Sequence, residues 1–164
     1  MTDRPLWAPW RIEYIRSPKD RDCIFCAAAA ADDDEAVHVV ARGERCFALL
    51  NNYPYSSGHM MVAPYRHVAR LDELDDAELV EFMTLTRRCV RAIEDGFAPD
   101  GFNIGVNQGK TAGAGIADHL HQHVVPRWEG DTNFMPVIGS TRILPQALAE
   151  TRSVLLSAFA RRSS

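Results

Sequence analysis

One long amphipathic helix set among short strands limits this chain more than any other feature of its sequence. Between Asp72 and Asp95 the residues Leu79, Phe82, Leu85, Thr86, Cys89, Val90 and Ile93 recur at three- and four-residue spacing. Acidic residues crowd the start of that stretch and Gly96 follows its end, which predicts a helix with one face turned to a core. Strand-like runs lie on both sides: Val37 to Ala41, Cys46 to Leu50, Met60 to Ala63 and Phe102 to Val106. The second and third are separated by NNYPYSSGH, rich in turn formers. A further helix is predicted from Pro145 to about Ala160, with Pro145 in its first turn. Strands around one long helix, without a regular strand–helix–strand alternation, predict an α+β fold with a mainly antiparallel sheet rather than a doubly wound one. At 164 residues the chain reads as a single domain. Its first 36 or so residues read as irregular, and the run Ala27 to Glu35 (AAAAADDDE) as a short helix or a mobile loop, with a solvated linker the preferred reading.

Composition removes several function classes. Charged residues make up 24% of the chain, the net charge is -4, and no basic face or tail is present, which argues against a general nucleic-acid binder. No stretch is apolar enough to span a membrane, and MTDRPLWAPW lacks the apolar segment of a signal peptide. Four cysteines without a secretory segment predict a reducing cytoplasm rather than a disulfide framework. Cys46 in RCFALL and Cys89 in RRCVRA read as buried small hydrophobes.

The chemistry concentrates near His119-Leu120-His121-Gln122-His123-Val124-Val125, which holds three of the six histidines at alternate positions. Apolar and β-branched flanks, closed by Pro126, predict a strand. Alternate residues of a strand share a face, so the three imidazoles project together. Imidazole titrates near neutrality and serves as nucleophile, acid, base or metal ligand, and clustered titratable groups mark functional sites.

Cys23-Ile24-Phe25-Cys26 is a C-x2-C knuckle. A thioredoxin-like redox pair would follow a strand and open a helix in a βαβ unit, which is lacking here. A structural zinc needs four N/S ligands, and no second cysteine pair stands at matching spacing. The remaining ligands are then histidines, drawn from His38, His59, His67 and the triad, which makes a Cys2His2 site the preferred reading. The segment Gly105 to Thr111 (GVNQGKT) imitates a phosphate-binding P-loop, yet has three residues rather than four before Gly-Lys-Thr, with Ile104 where glycine belongs. It is not a P-loop, although a glycine-rich loop leading into the histidine run can still offer N–H groups to an anion.

Taken together, CIFC, NNYPYSSGHMMVAPYRHV, GFNIGVNQG and HLHQHVVPRW resemble the histidine triad (HIT) family, whose signature is His-φ-His-φ-His-φ-φ with φ apolar. The likeness covers nearly the whole chain and implies a HIT-like fold. LWAPWRIEYI, HVVPRW and the following GDTNF look most like the bacterial branch of diadenosine tetraphosphate phosphorylases, also described as ATP adenylyltransferases. Gln122 departs from the pattern at an apolar position. It should face away from the histidines and alter packing rather than chemistry.

The resemblance implies that His121 is a nucleophile attacking an α-phosphate to form a nucleotidyl-histidine intermediate, its tautomer fixed by a carbonyl at the other ring nitrogen. His123 would donate to phosphate oxygens and the leaving group, and His59 would close the phosphate site. Asn51 matches the residue that binds the ribose hydroxyls. Asn107, with the glycine-rich loop Gln108 to Gly115 behind it, matches the phosphate-side donors; Lys110 and Gly115 of that loop are candidate substrate-binding positions. In zinc-containing members the first triad histidine and the histidine of Pro-x-x-His complete the site begun by C-x2-C, here His119 and His67 with Cys23 and Cys26. With four protein ligands the zinc would be structural. The implied activity is phosphorolysis of diadenosine tetraphosphate to ADP and ATP. Polyphosphate hydrolysis and phosphoramidase action are enzymatic alternatives, and nucleotide sensing or a zinc-structured interaction module are non-enzymatic ones. A homodimer is also implied, in which strands and the long helix of two chains pack together, with Leu79, Phe82 and Met83 giving the helix a wide apolar face.

Overall fold

The computed structural model describes residues 23–131 and 147–161. LWAPWRIEYI, the end of GDTNF and Pro145 lie outside them. The described elements are α1 (Ile24–Ala30), β1 (Val39–Arg42), β2 (Cys46–Leu50), β3 (Met60–Pro64), α2 (Asp76–Phe97), β4 (Gly101–Val106), β5 (Gln122–Arg127) and α3 (Leu148–Arg161). The strands form one sheet in the order β1-β2-β3-β5-β4. All four pairings are antiparallel, so the fold is α+β as the pattern of elements predicts.

Strand alternation divides the sheet into two faces. Cys46, Ala48, Leu50, Met60, Val62 and Val124 meet Phe82, Leu85, Cys89, Ala92 and Ile93 of α2 and Leu155, Ala158 and Phe159 of α3. On the opposite face Val39, Phe47, Leu49, Met61 and Ala63 pack with Phe25 and Ala28 of α1. Cys46 and Cys89 are buried free thiols, each pushed up to about 12, chiefly by burial. No helix among the described residues is long and apolar enough to cross a membrane.

Three local features differ from the sequence reading. The alanine run is not a linker in its first part, because α1 extends to Ala30. Phe25 and Ala28 anchor it to the sheet, and the Arg42 guanidinium donates to the carbonyls of Ala28 at 2.9 Å and of Ala29 and Ala31 at 3.1 Å. Those bonds satisfy acceptors that a helix end leaves open. The long helix starts at Asp76, later than its periodicity suggests, because Asp75 is the N-cap: its side chain accepts from the Glu78 N–H at 2.8 Å while Glu78 accepts from the Asp75 N–H at 2.9 Å. Gly96 lies inside α2 and is not its stop; a Cβ there would come within 2.7 Å of Val154 Cγ1, so glycine allows α2 and α3 to approach. Ala98, in the left-handed region at φ +46°, ends the helix.

Candidate functional site

Only His123 of the three clustered histidines is inside a strand; β5 begins at Gln122, while His119, Leu120 and His121 form its lead-in. The lead-in is bonded through the Leu120 N–H to the Val68 carbonyl at 2.6 Å. That bond falls outside the five-strand ladder, which is why the strand starts later than the sequence pattern predicts. The alternation nevertheless persists: Leu120 and Val124 join the helix-side core, and the rings of His119 and His121 pack on Phe25 of the opposite side. Gln122 faces the helices, as expected from its position, and its buried amide donates to Thr86 Oγ1 of α2 at 3.0 Å. Thr86 Oγ1 donates in turn to the Phe82 carbonyl at 2.8 Å. The polar residue at an apolar position is therefore hydrogen-bonded and sits away from the imidazoles.

His121 is 5% exposed. Its Nδ1–H donates to the His119 carbonyl at 2.8 Å, so the lone pair resides on Nε2. Burial lowers its pKa, opposed by that carbonyl bond, and favours the neutral ring. A neutral imidazole of fixed tautomer can act as a nucleophile through the unprotonated nitrogen.

His59 and His123 form a hydrogen-bonded pair. β3 and β5 are neighbours, with Met61 opposite His123, and Gly58 at φ +82° turns the NNYPYSSGH loop into β3. A Cβ on Gly58 would also approach Phe97 and Pro126 at 3.4–3.5 Å. The Tyr55 N–H donates to His59 Nδ1 at 3.1 Å, which leaves the His59 proton on Nε2. That atom lies 3.0 Å from His123 Nδ1 and donates to it, placing the His123 proton on Nε2. Two successive hydrogen bonds thus convert His123 into a donor at its outer nitrogen. Tyr55 stacks on His59 with centroids 5.1 Å apart. Opposite His123 in β4 stands Gly105, where a Cβ would meet nothing within 4 Å.

Burial, then the charges of His123 and His121, lower the His59 pKa from 6.5 to about 3. Because the folded value is depressed, the unfolded chain binds more protons; this contribution to stability is complete above about pH 6.5 and disappears as pH falls toward 3. Glu78, held down at about 2 first by its bond to Arg66, loses its contribution in the same direction but only below about 4.5. Chemical denaturation between about pH 7 and 5 is expected to show a falling stability whose slope is shallower in His59→Gln. Equal slopes would contradict this role for His59.

The second cluster gathers Cys23, Cys26, His67 and His119, whose donor atoms all lie within 4.8 Å of one another. His119 Nδ1 is 3.2 Å from Cys23 Sγ, 3.6 Å from Cys26 Sγ and 3.2 Å from His67 Nδ1, and Cys26 Sγ is 3.2 Å from His67 Nδ1. The His119 Nε2–H donates to the Pro64 carbonyl at 2.9 Å, so its Nδ1 lone pair faces the cluster, the arrangement that orients a ligand histidine. Tetrahedral zinc bonds of about 2.0–2.3 Å require donor separations of about 3.3–3.8 Å. The soft S2N2 donor set and the four separations of 3.2–3.6 Å therefore suit a tetrahedral cation. Burial, followed by the neighbouring Cys23, pushes the Cys26 thiol up, and a divalent cation would favour the thiolate instead.

The remaining sequence candidates lie around these two groups. Asn51, at the end of β2, donates its N–H to the His59 carbonyl at 3.0 Å, and its Oδ1 accepts from the Tyr53 N–H at 2.8 Å. Asn107 follows β4 and is half-buried; Lys110, in a 3-10 turn, and Gly115 are exposed. No bond from Lys110 to the histidines occurs among the described residues, whereas Arg127 is held by Asp131 and, at 2.6 Å, by Asn103. Sequence reasoning missed Phe25 and Tyr55, although Phe25 lies within the C-x2-C motif and Tyr55 within the turn-rich loop.

Residues 34–130 match the family model for the HIT domain. The chain is 44% identical over 164 residues to the AP-4-A phosphorylase of Mycobacterium tuberculosis, spanning 95% of this chain and 84% of that protein. It is 37% identical over 84 residues to the asymmetrical bis(5'-nucleosyl)-tetraphosphatase of Schizosaccharomyces pombe, 51% of this chain and 46% of that protein. Among solved structures, a Zn-bound histidine triad family protein from Mycobacterium smegmatis aligns with a TM-score of 0.70 and 27% identity, covering 87% of this chain and 96% of the other.

Proposed function

The chain belongs to the HIT domain family, and from that premise we propose that it is a nucleotidyl transferase acting on dinucleoside polyphosphates. The observation that carries the proposal is the pair of complementary ring nitrogens: a lone pair at His121 Nε2, fixed by the His119 carbonyl, beside a proton at His123 Nε2, fixed through His59. His121 Nε2 attacks the α-phosphorus of diadenosine tetraphosphate, the bond from that phosphorus to the bridging oxygen breaks, and ATP leaves. Inorganic phosphate then attacks the adenylyl-histidine, releasing ADP and restoring His121. His123 donates to the developing charge, where preorganised donors contribute most. His59 acts through it by holding the His123 proton on the outer nitrogen rather than by closing the phosphate site itself. Asn51 takes the ribose, and Asn107, Lys110 and Gly115 take the phosphate side. Likeness to the Mycobacterium tuberculosis phosphorylase supports phosphate as acceptor; the partial likeness to the tetraphosphatase supports water as the second reading.

Product analysis of diadenosine tetraphosphate with and without phosphate tests this. ADP and ATP formed only with phosphate support phosphorolysis, whereas AMP and ATP formed regardless would assign hydrolysis. Lys110→Ala belongs in the same assay, because a bound phosphate needs a cation or several N–H donors and water does not. Loss of phosphorolysis with hydrolysis spared supports the anion role of Lys110, and unchanged phosphorolysis removes it.

Cys23, Cys26, His67 and His119 would hold zinc. With all four positions filled by protein, zinc would bind the segments together rather than activate water. We also assign a cytoplasmic homodimer. β4 is an edge of the sheet and carries Ile104 at 47% exposure, a template for pairing with another chain. Val80 and Met83 of α2 point outward, while Phe82 is spent on the core of its own chain. Light scattering is expected to give twice the chain mass at micromolar concentration, and a monomer would refute the assignment.

A further inference from the structure

The knuckle that carries Cys23 and Cys26 also places a side chain directly on the histidines. Within Cys23-Ile24-Phe25-Cys26, Ile24 turns outward at 44% exposure and Phe25 is fully buried. The Phe25 ring centroid lies 4.7 Å from that of His121, inclined at 32°, and 5.1 Å from that of His119, inclined at 43°. Phe25 is also packed in the apolar cluster with Val39, Leu49 and Met61, and so cannot shift freely. A single hydrogen bond at Nδ1 leaves an imidazole able to rock about the bonded atom. An immobile aromatic ring packed against it at 32° restricts that freedom and favours one direction for Nε2.

We propose that Phe25 is a positioning residue for His121, and that a cation held by Cys23, Cys26, His67 and His119 sets the placement of Phe25. The proposal rests on His121 being the nucleophile. α1 has seven residues, too few to hold a helix by its own hydrogen bonds. Its position comes from the apolar cluster on one side and the two cysteines on the other. Phe25 stands between those cysteines in sequence, so anchoring the thiols anchors the ring. The knuckle thereby reaches the nucleophile twice: through the backbone from His119 to His121 and through space from Phe25.

The test compares Phe25→Ala, Phe25→Leu and, as a control, Leu155→Ala. Leu155 is fully buried on the other side of the sheet. Each protein is measured well below its melting temperature for kcat and KM on diadenosine tetraphosphate, for metal content, and by NMR for solvent exchange of the His121 Nδ1–H. Phe25→Ala is expected to lower kcat about tenfold or more with KM little changed, and to speed exchange of that proton while the metal remains. Phe25→Leu, which keeps bulk without a flat face, should fall between, and carries the test alone if the alanine variant does not fold. Leu155→Ala should change neither kcat nor exchange, and wild type stripped of metal should show the faster exchange. Wild-type kcat and exchange in the Phe25 variants, an equal loss in Leu155→Ala, unchanged exchange on metal removal, or loss of metal along with kcat would each overturn the proposal. His121→Ala in the same assay separates the two readings. If it remains active the nucleophile assignment itself has failed; if it is inactive while the Phe25 variants match wild type, only the positioning role has.

Discussion

His121→Ala is expected to reduce turnover of diadenosine tetraphosphate by roughly a thousandfold or more, with nucleotide binding still measurable. The argument starts from the position of the ring. His121 is buried beneath Phe25 with Nδ1–H held by the His119 carbonyl, and the neutral form that burial favours keeps a lone pair on Nε2. Alanine removes that lone pair while leaving His123 in place to bind phosphate oxygens, its outer proton still set by His59. A residue that only bound substrate would instead raise KM with kcat preserved. Single-turnover labelling supplies the positive control, because wild type should accumulate a nucleotidyl-histidine that the variant does not form. A nucleotide sensor with incidental chemistry would label poorly in both. Activity above about a tenth of wild type would sink the assignment, since a factor of ten is only about 1.4 kcal/mol of barrier. His121→Gln, closer in volume, guards against misreading a folding defect.

The parts of this site legible in sequence were those written in local alternation. β2 is found at Cys46–Leu50 as its apolar run predicts. The histidines keep to one side even though only His123 is in the ladder, because the extended lead-in preserves the two-residue period. Gln122 could be placed on the opposite side for the same reason. What depended on distant residues could not be read. The helical state of the alanine run needs Arg42, which arrives after a turn and a strand to satisfy the carbonyls of Ala28, Ala29 and Ala31. Gly96 reads as a helix stop until α3 brings Val154 against it. The link from Tyr55 through His59 to His123 exists because β5 inserts beside β3 instead of following β4 to an outer edge. Spacing alone left His38, His59, His67 and the triad all open as partners of the cysteine pair. Family resemblance narrowed them to His67 and His119, and the fold brings those two together with Cys23 and Cys26.

Removal of the metal, or of one ligand by Cys23→Ser, is expected to lower the melting temperature by about 10 °C or more, a loss of about 3 kcal/mol or greater for a chain of this size. Three segments of sequence meet at the cluster: the start of α1 with Cys23 and Cys26, the turn after β3 with His67, and the lead-in to β5 with His119. Without a cation, lone pairs and thiols converge with little to offset their repulsion, and α1 keeps only its apolar contacts and the Arg42 bonds. Structural zinc sites contribute binding energy directly to folding, on the order of 10 kcal/mol or more in small domains. Here the sheet and its helix-side core lie largely outside the cluster, so a partial loss rather than complete unfolding is expected. Affinity for nucleotide should change less than stability, because the ligand nitrogen of His119 is engaged with the cluster and is separate from His121 Nε2. Elemental analysis of protein purified without added metal should find about one zinc per chain. A protein free of metal and equally stable would refute the site. Loss of nucleotide affinity without loss of stability would instead move the cation from holding the fold to holding the substrate.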